Sequence, residues 1–299
     1  MIGFCLVAWG LVTAGLAAQP VQDFPRAGPG GSPGGPGFPG GFGPPGMGKE
    51  RKILKTYDKN KNRILDIEER KTARAGLALE NYRGGFGPRR GGPGGMGPPT
   101  TGTPGPKVTV ESVKRFPGKD LYDLTTLRTL FLDFELPDWE KELEEFHGTD
   151  VDVPAKMTLE GTTHKGRVGV HFRGMSSYMG VPSGSKRSLS ISIDLEDSSQ
   201  RVMGVKSLNL LNCHEDASMM STILYSQIAN KYLPAPRANF VKVVINGESW
   251  GLYVNVEQFN KEFVDSRYKH KGGEAKPARW KVRGSPGGGG GLDYLGENP

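Results

Sequence analysis

Val241-Lys242-Val243-Val244-Ile245, then Asn246-Gly247, then Trp250-Gly251-Leu252-Tyr253-Val254-Asn255-Val256, reads as a β-hairpin. Asn-Gly between two β-branched, alternating runs is the strongest short-range hairpin signal, because both residues tolerate the left-handed backbone of a tight turn. Working outward from it, Ser207 to Leu211 is a short strand, and Val153 to Leu159, Arg167 to Phe172 and Ser188 to Leu195 alternate with period two. Gly161 marks a turn between the first two of these, and Leu130-Phe131-Leu132-Asp133-Phe134 is a further strand. Between the strands lie two helical patterns. Asp138 to Phe146 carries Trp139, Leu143 and Phe146 on one stripe behind an Asp N-cap. Asp216 to about Tyr232 is expected to bury Met219, Met220, Ile223, Leu224, Ile228 and Ala229. Strands and helices in this order predict an α+β domain over residues 107–299.

The remainder is organised by Gly and Pro. The 299 residues include 45 Gly and 23 Pro, concentrated in residues 19–48 and 84–106. Such segments bury too little apolar area to offset chain entropy and are expected to be disordered linkers. Residues 1–18 are uninterruptedly apolar and end Ala-Gly-Leu-Ala-Ala, as a signal peptide does. The expectation is a secreted, cell-envelope or periplasmic protein with no stable membrane span after cleavage. Loss of Cys5 would leave Cys213 alone and exclude an internal disulfide. The net charge of +7 is spread over linker, flanks and tail without an aromatic-interleaved stripe, which argues against a nucleic-acid partner.

Between the linkers, residues 49–83 read as a helix-loop-helix of EF-hand type. Asp58, Asn60, Asn62, Asp66 and Glu69 occupy loop positions one, three, five, nine and twelve, with the Ile64 carbonyl at seven. Ca²⁺ is a hard ion wanting about seven oxygens, and alternate residues of a tight loop can converge to supply them. Arg63 stands where the sharp turn normally takes Gly, so a strained left-handed residue and weak binding are expected, on the order of 10⁻⁴–10⁻³ M as in extracellular modules. The bland alternative is a polar helix-turn-helix that binds nothing.

Four separated motifs carry a resemblance. They are Arg173-Gly174-Met175-Ser176-Ser177, Ser185-Lys186-Arg187-Ser188-Leu189, Leu208-Asn209-Leu210-Leu211-Asn212, and Asn246-Gly247-Glu248-Ser249-Trp250-Gly251-Leu252-Tyr253 with Glu257-Gln258. From about Leu121 onward the chain resembles the spore-coat protein H (CotH) kinase family. That resemblance implies a kinase-like N-lobe, ATP and Mg²⁺ as cofactors, and a protein Ser substrate. It also implies Lys186 as a phosphate-contacting lysine, Arg173 with the Gly174 to Gly184 loop over the phosphates, and Glu257 at an adenine hinge. Set beside these roles, Lys186-Arg187 reads equally as a solvated strand start and Arg173-Gly174 as a turn. The helix after Asp216 has no interior acid to pair with Lys186, and Glu215 is the only neighbour that could.

In the family the catalytic Asp and the metal-binding Asp and Asn would follow Trp280-Lys281-Val282 and Ser285-Pro286-Gly287-Gly288, and the sequence given stops at Pro299. No catalytic residue is therefore assigned. The expectation is the N-terminal portion of an atypical kinase that does not transfer phosphate by itself. The alternative is a non-catalytic calcium-binding surface or spore-coat-like scaffold.

Overall fold

The hairpin is formed as read: β6 (Ala238–Ile245) and β7 (Glu248–Val256) are antiparallel, joined by Asn246 and Gly247 at φ 49° and 76°. The computed structural model describes residues 50–83, 102–174 and 176–268, all within one unit, Gly43–Pro299. The expected signal peptide, all of residues 19–48, most of residues 84–106 and everything after residue 268 lie outside the described residues.

Five further strands precede the hairpin: β1 (Arg128–Phe134), β2 (Val153–Leu159), β3 (Thr162–Phe172), β4 (Leu189–Ser192) and β5 (Ser207–Leu211). β2 and β3 are joined by Glu160 and Gly161, at φ 53° and 82°, the same two-residue left-handed turn as in the hairpin. The strands follow one another antiparallel around the order β1-β2-β3-β4-β5-β7-β6, and β1 closes the ring by pairing parallel to β6, with Leu130 opposite Val243.

This closure overturns the expected α+β, kinase-like N-lobe. The domain is a closed, mixed seven-stranded β-barrel with few and short helices. The physical reason is visible in the alternation. Leu130, Leu132, Ala155, Met157, Val168, Val170, Leu189, Ile191, Leu208, Leu210, Val241, Val243 and Tyr253 all belong to one buried cluster, alternate residues of six strands and a single residue of β7. Each strand thus turns apolar residues to the barrel interior, and the outer face is covered by short elements, Ala238 and Val254 packing there against Ile223. The interior is polar only at one end, where Arg128 pairs with Glu160 at 2.6 Å and Asn255 donates to Asn239.

The helices pack outside, and all but α2 are short. α1 (Leu54–Tyr57) and α2 (Ile67–Arg83) flank the 58–69 loop, and α3 (Trp139–Glu145) lies at the barrel end formed by Phe134 and Trp250. Asp138 does not cap α3 with its side chain; it pairs with Arg74 instead, at 2.7 Å. α4 (Ser176–Met179) is a single turn. α5 (Ser221–Ala229) starts five residues later than expected, with Asp216 accepting from the Ser221 amide at 2.9 Å. Its buried residues are Ile223, Ser226 and Ala229, whereas Met220, Leu224 and Ile228 are exposed. α6 (Lys261–Arg267) closes the described chain, capped by Asn260, whose side chain accepts from the Phe263 amide. Among the described residues no helix is long and apolar enough to cross a membrane.

Candidate functional site

The 58–69 loop is held by its own amides. Asp58 accepts from Asn62 and Arg63, Asn60 from Asn62, Asn62 from Ile64, Asp66 from Glu69, and Glu69 from Lys59, Asn60 and Asp66. All five side chains expected to hold calcium are therefore fixed within the same small turn, beside the Ile64 backbone. Arg63 takes φ 69°, the left-handed conformation that Gly would adopt without strain.

The donor set fits a hard cation in chemistry, being carboxylates, amide oxygens and a carbonyl. It is not yet gathered, since among the described residues no three His, Cys, Asp or Glu side chains converge as a metal-holding group. An ion would have to draw Asp58, Asp66 and Glu69 inward.

Directly after Glu69, Arg70 is fully buried. It donates to the loop carbonyl of Leu65 at 2.9 Å, to Glu142 of α3 at 2.8 Å and to Glu135 at 2.8 Å. Leu65, Ala73 and Leu77 join the barrel's buried cluster, so the helix-loop-helix is fastened to the barrel by apolar contact as well as charge. From the barrel side, Asp150 accepts the Ile53 and Leu54 amides at 2.7 and 3.0 Å, serving the free N–H groups at the start of α1.

The second region lies at the α3 end of the barrel. Lys186 is half-buried; its Nζ donates to the Leu252 carbonyl at 2.7 Å and sits 5.0 Å from the Tyr253 ring centroid. It has no carboxylate partner among the described residues. Burial pushes its pKa down, and proximity to Cys213 only partly counters this. It lines a cleft of about 370 Å³ with Glu140, Gly184, Glu248, Trp250 and the segment from Gly102 to Gly105. Gly105 is required there, because a Cβ would come within 2.0 Å of the Ser249 carbonyl.

Glu140, from α3, accepts the Gly184 amide at 2.7 Å, and burial pushes its pKa up. A lysine and a carboxyl with opposed shifts in one cleft is a pattern that marks functional sites. The sequence reading missed Glu140, because on α3 it looked like one more solvated acid between the apolar positions Trp139 and Leu143. Glu215, the acid considered beside Lys186, lies in a different cleft with Ser177, Asn212 and His214.

Arg173 follows β3, and its amide donates to the Ser188 carbonyl at 3.0 Å, so its backbone runs beside the Lys186 segment. It is half-buried without an acid partner among the described residues, and desolvation lowers its pKa. Glu257 is not brought to this end. Lys186 meets β7 at Leu252, and five residues further along that strand is roughly 16 Å away. There Glu257 is buried with both oxygens engaged, by Arg237 at 3.2 Å and Arg267 at 2.7 Å. It lines a separate cleft of about 160 Å³ with Tyr122 and Phe263.

The segment carrying Arg173, Lys186 and Glu257 is also the one that known proteins share. Residues 170–278 match the CotH kinase protein family. The matched span begins in β3, runs through the hairpin and α6, and takes in all four of the motifs quoted above, the cleft lysine among them. It leaves β1, β2, α3 and the 58–69 loop outside. No curated protein matches the chain significantly.

Proposed function

We propose that the cleft beside Lys186 binds the phosphates of ATP, with Mg²⁺ carried on the nucleotide, and that Asp58, Asn60, Asn62, Ile64, Asp66 and Glu69 bind Ca²⁺. The chain is on this reading a calcium- and nucleotide-binding, CotH-type kinase-like protein outside the cytoplasm, with no phosphate transfer assigned to it by itself. The observation that carries the nucleotide half is Lys186, half-buried in this cleft with no carboxylate partner among the described residues; Arg173, half-buried and likewise without an acid partner among them, leaves β3 beside the Lys186 segment but does not line the cleft. Taking a cation out of water without an acid partner is costly unless an anion completes it. Phosphate oxygens would do so, with Lys186 acting as a point charge. Glu257, with both oxygens taken, stands outside the cradle.

A second reading, a non-catalytic calcium-binding scaffold, is favoured by the barrel interior, which among the described residues is filled by its own side chains. Calorimetric titration of the full chain with Mg·ATP separates the two. Binding that Lys186→Met weakens by about tenfold to a hundredfold, the worth of one charge-assisted contact, supports the nucleotide site. Equal affinity in Lys186→Met and wild type, or no binding at millimolar ATP, removes it. Export is tested separately by fractionating cells that express the full chain and sequencing the N-terminus of the mature protein.

A further inference from the structure

Calcium loop and phosphate cleft sit at the same end of the barrel, and α3 touches both. On one side of α3, Glu142 takes Arg70, while Asp138 and Glu145 take Arg74 of α2. On the other, Glu140 accepts the Gly184 amide, Glu144 pairs with Arg187, and Trp139 lies edge-on to Trp250 at 5.1 Å. Gly184 and Arg187 bracket Lys186. A helix of seven residues thus joins the segment just after the last calcium donor to the turn that carries the cleft lysine.

The junction is also incompletely satisfied. Arg70 meets Glu142 through Oε1 alone, and Glu142 Oε2 is buried without any hydrogen-bond partner. A guanidinium fork beside a carboxylate with one orphaned oxygen has a second arrangement open to it, in which the pair becomes bidentate. The carboxylates of the loop stand ungathered, and Glu69, whose oxygens are held by the Lys59, Asn60 and Asp66 amides, must swing toward an incoming ion. Glu69 is the third residue of α2, and Arg70 follows it and also holds the loop carbonyl of Leu65.

We propose that Ca²⁺ at the 58–69 loop regulates the Lys186 cleft. Closure of Glu69 onto the ion shifts Arg70 into bidentate contact with Glu142, and α3 moves with it, repositioning the Gly184 to Arg187 turn. Arg70 is a positioning residue that reaches neither ligand. The inference rests on the calcium and phosphate sites proposed above and adds the coupling between them.

The experiment measures three quantities on the full chain: Ca²⁺ affinity by calorimetry, Mg·ATP affinity with and without saturating Ca²⁺, and hydrogen exchange at residues 182–188. Expected is a change in Mg·ATP affinity of about tenfold on adding Ca²⁺, matched by an equal change in Ca²⁺ affinity on adding Mg·ATP, since coupling is reciprocal. Exchange at the Gly184 amide should change with calcium in wild type and not in Glu69→Gln. Arg70→Met should still bind both ligands, with the coupling factor reduced to about one. If circular dichroism shows that variant unfolded, Glu140→Ala combined with Glu144→Ala, which removes both polar links from α3 to the turn, is expected to lose calcium dependence at the cleft while keeping calcium affinity. Two ligands that bind independently overturn the coupling and leave the sites standing. Failure of either ligand to bind overturns the site concerned and the inference with it, and calcium binding that leaves Gly184 exchange unaltered overturns the relay.

Discussion

Arg63 pays for a turn that glycine would make freely. At φ 69° its Cβ crowds the following carbonyl, a strain of about 1–2 kcal/mol for an L-residue, part of which Gly would return as unfolded-state entropy. Arg63→Gly is therefore expected to raise stability by about 0.5–1 kcal/mol in urea denaturation and to tighten calcium binding by removing a cation from the loop. Unchanged stability would mean that the neighbouring hydrogen bonds, Arg63 N–H to Asp58 at 2.9 Å among them, already absorb the strain. The donor spacing and the odd residue at position six were both legible in the sequence, because ligand geometry within twelve residues is local. Arg70 was not. It looked like a flanking basic residue, and only the placement of Glu142 and Glu135, more than sixty positions away, makes it the buried centre of the junction.

At the scale of elements, the docking of the helix-loop-helix concentrates at Asp150. One carboxylate oxygen serves the amides of the N-cap residue Ile53 and of Leu54, the first residue of α1. Asp150→Ala leaves those donors without their acceptor and should cost about 1–2 kcal/mol, as loss of an N-cap does. Limited proteolysis would show residues 50–83 cut earlier than the barrel; cleavage at wild-type rates would place the holding force in Leu65, Ala73 and Leu77 alone. α5 provides a sharper contrast. Ile223 is buried against Ala238 and Val254, whereas Leu224 is half-exposed. Ile223→Ala should cost about 2–4 kcal/mol, and Leu224→Lys should stay within about 0.5 kcal/mol of wild type. Helical periodicity alone could not make this distinction. With Met219, Met220, Ile223, Leu224 and Ile228 all apolar, the pattern offers two overlapping faces, and the outer surface of β6 and β7 chooses between them. Hairpins were readable for the opposite reason, since Asn246-Gly247 and Gly161 fix their own turns. The β1–β6 closure was not, because strands that pair in parallel more than a hundred residues apart carry no turn between them to read.

For the whole molecule, pH should act in two steps. Burial by itself would raise the carboxyls of Asp152 and Glu135. Pairing with His171 at 2.7 Å, and with Arg70 and Arg167, outweighs that and holds both below their ordinary range. Acids with a depressed folded pKa contribute stability that is present above their unfolded values near 4 and is lost as pH falls through the folded ones. These pairs join α2, β1 and β3, so the acid transition should be steep and should release the helix-loop-helix with the barrel's outer face. His147 acts earlier and more gently. Burial, with Arg187 and His171 nearby, depresses its pKa despite a hydrogen bond to the Gly174 backbone, and it stacks on Tyr178 as a neutral ring. The folded state resists its protonation, so stability begins to decline below the unfolded histidine value near 6.5 and stops declining on this account once both states are charged. Thermal melts between pH 8 and 3 should therefore show a plateau, a shallow decline from about pH 6.5, and a steep loss below about pH 4. His147→Phe keeps a ring against Tyr178 and removes the titrating group, so it should erase the shallow step and leave the steep one. A shallow decline that persists in that variant would transfer the effect to another group and refute the assignment to His147.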